Sequence, residues 1–289
     1  MHLHISRIHK IPLAEYYVNF YQRKDLFTGK LLPYHNKEDY FNKDFKSLKN
    51  FYKWAKKTDP DQVRDYILFQ LKCRIDSKQL DFAPSSLELL LHELPDLNTY
   101  KEFFGSYSSA CKLLNIEPLY NKKLINNFFE DDEYVDSAKI LIDTREQKPL
   151  HFDKSTSMKL DFGDYAVGSP HYDYTYVDRK SESDFKSTMT TGYDRFLKEM
   201  QRAVDFDAYL FIVIESSIEK IKKNNFFGPR QANLPFIWHN MRLISHNFPR
   251  KCQFIFSGGR RESEWLIPKL LVYGRKLWNV DMQHFIDNQ

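Results

Sequence analysis

Cysteine is scarce in this 289-residue chain: Cys73, Cys111 and Cys252 stand far apart and make no CxxC pair. Such spacing excludes a disulfide framework and a thiolate metal cage, and the apolar or helical surroundings read as those of buried thiols. Long apolar runs are missing as well. No uncharged stretch approaches the ~20 residues of a membrane span, and the opening MHLHISRIHK lacks the apolar block of a secretory signal. An intracellular protein with no membrane partner is therefore expected. The Lys-, Asn-, Phe- and Tyr-rich composition points to the cytoplasm of a bacterium or phage-infected cell, with the nucleus as the eukaryotic counterpart. A strong excess of one sign of charge is absent too, 43 Lys and Arg standing against 39 Asp and Glu for a net value of +4, which permits a nucleic-acid partner without demanding one. With 42% hydrophobic and 28% charged residues the chain is too apolar for wholesale disorder, and its length suggests two domains.

What is present is unevenly spread. Residues 1–57 hold 12 Lys and Arg against five Asp and Glu, interleaved with twelve Phe, Tyr or Trp. This mixture suits either a helical domain with an aromatic core or a face that stacks bases and meets phosphates. Apolar residues three and four apart, as in 15–23 and 45–57, predict an all-α region over 1–128. The acidic run at 130–133 and Asp136 predict a solvated linker at 129–138. From 139 to 289 short β runs appear, KILID, MKLDFGDYAV, YTYVDRK, YLFIVIE and QFIFSG, with helical patterns at 193–204, 234–248 and 262–278. Continuous apolar strands covered by such helices predict an α/β domain with a sheet buried on both faces. Trp238, Trp265 and Trp278 fit helix faces and read as core. His239 and His246 read as packing or surface residues, and His2 and His4 lack the further ligands a zinc site needs.

Within 85–118 the string Thr99-Tyr100, Phe104-Gly105-Ser106-Tyr107 and Ala110 resembles a homing-endonuclease-associated repeat, a small helical DNA-binding module. Phe104 and Tyr107 would anchor two helices, Gly105 would make the turn and Ala110 a close helix contact. Asn115, where the family usually ends in glycine, tolerates the left-handed conformation of such a cap. A helical hairpin without DNA is the other reading.

The chemistry lies in acids at the ends of β runs. Asp143 closes ILID, Glu146 follows in TRE, and Gly163 makes a turn that delivers Asp164 beside the sheet. Asp178 and Lys180, two apart in a strand, share one face. Carboxylates gathered beside a lysine suit phosphodiester hydrolysis with Mg²⁺ or Mn²⁺, in which a cation also stabilises charge developing on the phosphate. Lys180 could orient or deprotonate the attacking water. Without a metal the acids should repel each other unless Lys180, Arg179 or Arg145 neutralises them.

Asp164 and Asp178-x-Lys180 follow the PD-(D/E)xK pattern, and the longer series is more specific. Asp143-Thr144-Arg145-Glu146, Gly163-Asp164-Tyr165 and Asp178-Arg179-Lys180-x3-Asp184 resemble the nuclease domain of the XPF family of structure-specific endonucleases. The likeness runs on through Asp194-Arg195-Phe196, the strand ending at Glu215 and FIFSGGRRESEWLIPKLL, covering 139–285. It implies a restriction-endonuclease-like fold, a mixed central sheet flanked by helices, and a metal-dependent DNA endonuclease preferring flaps, forks, junctions or nicks. It also implies a homodimer through the nuclease domain, for which the apolar helix 262–278 offers a surface. Carried over by position, Asp143, Glu146, Asp164 and Asp178 are acidic site residues, with Asp143, Asp164 and Asp178 as metal ligands. Lys180 is the catalytic lysine, Arg179 supports the site or meets phosphate, and Asp184 is its acidic partner. Ser181-x-x-Asp184 reads equally as a helix cap. Arg145, Arg195, Arg260 and Arg261 are candidate DNA contacts, with ordinary surface roles as the alternative.

Two departures matter. The Glu of the family's ERK is Asp178 here, one methylene shorter, and the family's tandem helix-hairpin-helix modules do not follow the nuclease. Residues 1–128 would then select the substrate. Two other functions fit the same residues: an inactive nuclease-like module that recognises DNA structure or scaffolds a partner, and a site-specific nicking or homing nuclease.

Overall fold

A computed structural model describes residues 60–288 apart from 93, 126, 131 and 228–229. The expected helices at 15–23 and 45–57, the basic aromatic stretch 1–57 and His2 and His4 lie outside the described residues. The chain divides into two compact units after Pro118.

Among the described residues of the first unit, the helices α1 (Pro60–Lys78), α2 (Ser86–Leu91), α3 (Leu97–Phe104) and α4 (Tyr107–Leu113) enclose a core of Val63, Tyr66, Ile67, Leu71, Leu89, Tyr100, Ala110 and Cys111. Ser85, Asp96 and Ser106 cap α2, α3 and α4 by accepting the backbone N–H three residues on. Gly105 links α3 to α4 at φ 77°, and Asn115 takes φ 53° past α4. Tyr100 is the fully buried anchor, with Tyr107 packed edge-on against it at 4.9 Å. Cys111 is buried, whereas Cys73, expected inside, is exposed between the charged Lys72 and Arg74.

The second unit begins at Leu119, ten residues before the expected boundary. The segment 129–138 is no free linker. Phe129, Val135 and Ala138 sit in the core of this unit, Asp132–Asp136 forms helix α5, and Glu130, Glu133 and Asp136 face water. The acids mark the wet side of a docked segment.

Its six strands are β1 (Ile140–Asp143), β2 (Ser155–Met158), β3 (Tyr165–Val167), β4 (Thr175–Lys180), β5 (Tyr209–Ile214) and, after a short ribbon of β6 (Phe226–Phe227) and β7 (Arg230–Gln231), β8 (Cys252–Phe256). They form one mixed sheet in the order β2-β1-β3-β4-β5-β8. β3 runs antiparallel to β1 and β4, while β5 lies parallel between β4 and β8. YLFIVI of β5 is buried throughout, as a central strand covered on both faces must be. Five further helices flank the sheet: α6 (Glu182–Thr188), α7 (Tyr193–Asp205), α8 (Ile218–Lys223), α9 (Leu234–Asn247) and α10 (Arg260–Tyr273), before the short α11 (Met282–Ile286). This is the mixed α/β core with flanking helices that the restriction-endonuclease-like class implies, and α1–α4 are the helices among the described residues of the first unit. No described helix is long and apolar enough to cross a membrane.

α10 stops at Gly274, short of the expected 278. Its apolar residues Leu266, Ile267, Leu270 and Leu271 pack into the chain's own core. Trp265, expected inside, is 46% exposed, while Trp238 is buried.

Candidate active site

β4 separates its side chains by the two-residue period of a strand. Asp178 and Lys180 share one face and are joined by a 2.9 Å bond from Lys180 Nζ to Asp178 Oδ1. The ammonium also lies 5.0 Å from the ring centroid of Phe196 on α7. Burial works against the charge on Lys180, but Asp178, Asp184 and Asp164 outweigh it and hold its pKa above the usual lysine value. In the metal-free chain its ammonium is engaged by Asp178.

Asp164 reaches Asp178 through the turn at Gly163. That glycine has φ 59°, and a Cβ there would lie 2.7 Å from the carbonyl oxygen of Val177. The close approach lets Asp164 N–H donate to Val177 O at 2.8 Å and its Oδ2 accept the N–H of Arg179 at 2.7 Å. Loss of water and the charge of Asp178 raise the Asp164 carboxyl to about 8, against the opposing N–H of Arg179. Two acids therefore share a place with less positive charge than they need.

The other expected members are placed differently. Asp143 spends both oxygens: Oδ1 accepts Arg145 N–H and Nε at 2.7 Å each, and Oδ2 accepts Leu160 N–H at 2.7 Å and Arg145 Nη2 at 3.1 Å. Burial pulls its pKa up, yet the Arg145 bonds and the two N–H groups hold it below the ordinary carboxylate value. It fastens the loop ahead of Asp164. Arg145, whose guanidinium is committed to Asp143 and to Leu160 O, is the other half of that fastening.

Arg179 points to the face opposite Asp178. Its side chain is 10% exposed and is held between Glu215 Oε2 at 2.8 Å and Glu146 Oε1 at 3.1 Å. Glu146 also accepts Lys148 N–H at 2.7 Å. Glu146, expected among the acidic site residues, and Arg179, expected to support the site or meet phosphate, thus make a buried clamp on the other face of β4. Asp184 is exposed in the first turn of α6, with its N–H capped by Ser181 Oγ at 3.2 Å, and its charge acts on Lys180. Arg195 is exposed at the start of α7 and Arg261 at the start of α10. Arg260 donates to the carbonyls of Lys148 and Pro149, close to the clamp.

Glu199 escaped the sequence reading. It follows Phe196 by one helical turn on α7 and is half-buried, and its carboxylate makes no hydrogen bond or ion pair among the described residues. Loss of water and the charge of Asp178 raise its pKa, with Lys180 and Arg202 opposing. The signal was present, since Phe196, Met200 and Ala203 mark the buried face of α7 and Glu199 adjoins it.

No three His, Cys, Asp or Glu side chains are grouped as a metal cage among the described residues. Asp164 and Asp178 still fit Mg²⁺ or Mn²⁺, because such hard ions are often held by one or two carboxylates and complete their shell with water and substrate phosphate. Burial first and then the charge of Asp178 raise the Asp164 carboxyl, and a divalent ion bound there would offset both.

No family model matches this chain, and no curated protein matches it. Among solved structures it is similar to XPF from Aeropyrum pernix in complex with DNA, at 16% identity and a TM-score of 0.35, over 47% of this chain and 63% of that one. It is also similar to XPF from Aeropyrum pernix, at 17% identity and a TM-score of 0.37, over 46% of this chain and 59% of that one. The match thus spans about three fifths of those chains.

Proposed function

We propose that this protein is a Mg²⁺- or Mn²⁺-dependent DNA endonuclease acting on branched or nicked DNA. The observation that carries the reading is the pairing of Asp164 with Asp178 beside Lys180, a site short of positive charge that a divalent ion would complete. The preference for branched DNA rests on the resemblance of the series from Asp143 to Asp184 to the XPF family.

In this reading Asp164 and Asp178 hold the metal, which when bound supplies Lewis acidity and a water of lowered pKa. Lys180 keeps its proton and offers it to the phosphate oxygen that gains charge during attack. Arg179 acts at one remove: its backbone N–H orients Asp164, and its side chain fixes β4 between Glu146 and Glu215. Asp143 and Arg145 hold the loop that carries Asp164. Phe196 keeps the ammonium of Lys180 in place.

Purified wild type and Asp178→Ala incubated with labelled linear, flap, fork and four-way DNA, in Mg²⁺, Mn²⁺ or EDTA, test the proposal. Metal-dependent cutting that the substitution abolishes supports it. Cutting that persists in Asp178→Ala rejects the assigned site.

One observation favours a second reading. Asp143 is fully hydrogen-bonded and Asp178 is engaged by Lys180, as in a nuclease-like module that recognises DNA structure without cutting it. Binding to branched DNA with no cleavage in any metal selects that reading.

A further inference from the structure

One carboxylate beside the acid pair has no part in the fold's bonding. α7 lies against the face of β4 that carries Asp178 and Lys180, where the Phe196 ring centroid is 5.0 Å from the Lys180 ammonium. Glu199 follows three residues later and adjoins the buried stripe of Phe196, Met200 and Ala203, while Lys198, Gln201 and Arg202 are exposed. Residues three apart are neighbours on a helix, so Glu199 stands on the side of α7 that carries Phe196. Its charge interacts with Asp178 on β4 and with Arg145, which fastens the loop carrying Asp164.

A half-buried carboxylate without a partner is costly, because it gives up water and gains no hydrogen bond in return. The surrounding cations do not relieve it. Lys180 is bonded to Asp178 at 2.9 Å, and Arg145 is bonded to both oxygens of Asp143. Arg179 lies on the other face of β4, between Glu146 and Glu215. Arg195, Lys198 and Arg202 of α7 itself are exposed, and none pairs with Glu199 among the described residues. Asp184, exposed on α6, adds negative charge rather than removing it.

When all are ionised, Asp164, Asp178 and Glu199 set three negative charges against the one ammonium of Lys180, and a divalent ion balances the remainder. No three such side chains are grouped as a cage among the described residues, so Glu199 is not a third direct ligand. Mg²⁺ sheds its water reluctantly and keeps several waters when carboxylates hold it. Those waters need acceptors, and Glu199 has its oxygens unused.

We propose that Glu199 is a positioning residue of the metal site, accepting hydrogen bonds from the water shell of a divalent ion held by Asp164 and Asp178. This deepens the nuclease reading and rests on it, and it adds a residue outside the series from Asp143 to Asp184. The test is made on the full chain without DNA. Mn²⁺ affinity is measured by electron paramagnetic resonance, which counts the free ion, for wild type, Glu199→Gln and Asp178→Ala. Melting temperatures are taken in EDTA and in excess Mn²⁺.

Glu199→Gln should weaken Mn²⁺ by about tenfold, as the loss of a group acting through the ion's ligands does. The loss should persist in about 1 M KCl, where charges are screened beyond about 3 Å. In EDTA the variant should melt at or above wild type, since an unpaired charge is gone, while its rise on adding Mn²⁺ shrinks by about 2–4 °C. Opposite signs in the two conditions are what a merely structural residue would not give. Mn²⁺ affinity within about twofold of wild type, a loss that vanishes in KCl, or equal destabilisation with and without Mn²⁺ overturns the proposal. Binding abolished by Asp178→Ala but kept by Glu199→Gln counts against Glu199 alone. A wild type that binds no Mn²⁺ overturns the metal-dependent reading and this inference with it.

Discussion

Arg179 and Asp178 adjoin in sequence and work on opposite sides of β4: Arg179 is held between Glu146 and Glu215 behind the sheet, while Asp178 holds Lys180 in front of it. A DRK string that looks like one functional unit is therefore divided between a buried clamp on one face of β4 and the Asp178–Lys180 pair on the other.

The clamp is expected to matter for stability first. Arg179→Ala leaves Glu146 and Glu215 buried without their shared cation, which should cost about 3–5 kcal/mol in urea unfolding. Arg179→Lys should recover only part of it, because an ammonium cannot span both carboxylates as the planar fork does. Equal stability of the lysine variant and wild type would show that the fork is dispensable.

Asp164 should make metal-free stability fall as pH rises. Its carboxyl is near 3.8 when unfolded and about 8 when folded, so the folded state binds the extra proton between those values. The contribution is complete below pH ~4 and is lost as pH climbs to ~8. Asp164→Asn in EDTA should therefore melt higher than wild type at pH 8, by about 2–4 °C if about 1 kcal/mol of repulsion is relieved. Added Mn²⁺ should raise the melting temperature of wild type and not that of the variant.

Asp143 should behave in the opposite sense. Its pKa is lowered by the Arg145 and backbone bonds, so its stabilisation is present above the unfolded value and disappears as pH falls through the folded one. Asp143→Asn should lower the melting temperature at neutral pH and flatten the acid limb, while calorimetric Mn²⁺ affinity of the folded protein stays at the wild-type value. A tenfold drop in that affinity would restore Asp143 to the metal site.

Lys180 is held above the usual lysine pKa and should act as a cation throughout the neutral range. Lys180→Gln should slow the single-turnover step by about 100-fold with DNA affinity nearly retained. The wild-type pH–rate profile should show no rise attributable to lysine losing its proton.

Gly163→Ala tests the approach of the turn to β4. The left-handed φ alone costs about 1–3 kcal/mol, and the contact with Val177 O adds to it. A variant as stable as wild type would mean that the turn has room the geometry denies.

Much of the fold could be read from local pattern. The run YLFIVI announced a central buried strand, and the spacing of Tyr193, Phe196, Leu197, Met200 and Val204 announced α7. β2, with its polar sequence STSM at an exposed edge, carried no such pattern and was not foreseen. At the site, Asp178 and Lys180 share a face for reasons of strand period alone, so their pairing was legible. That Asp143 is occupied by Leu160, and Arg179 by Glu146 and Glu215, depends on segments brought together only by folding. Cys73 and Trp265 fit helical spacing, but which side of a helix faces water is settled by the neighbours it packs against.

The 2.7 Å bond from the N–H of Arg179 to the Asp164 carboxylate also gives the protein a native spectroscopic probe. The amide resonance of Arg179 senses the charge on the oxygen it touches. In an NMR titration it should shift as Asp164 ionises and shift again when a divalent ion takes the carboxylate, so one backbone signal would report occupancy of the site without DNA, label or turnover.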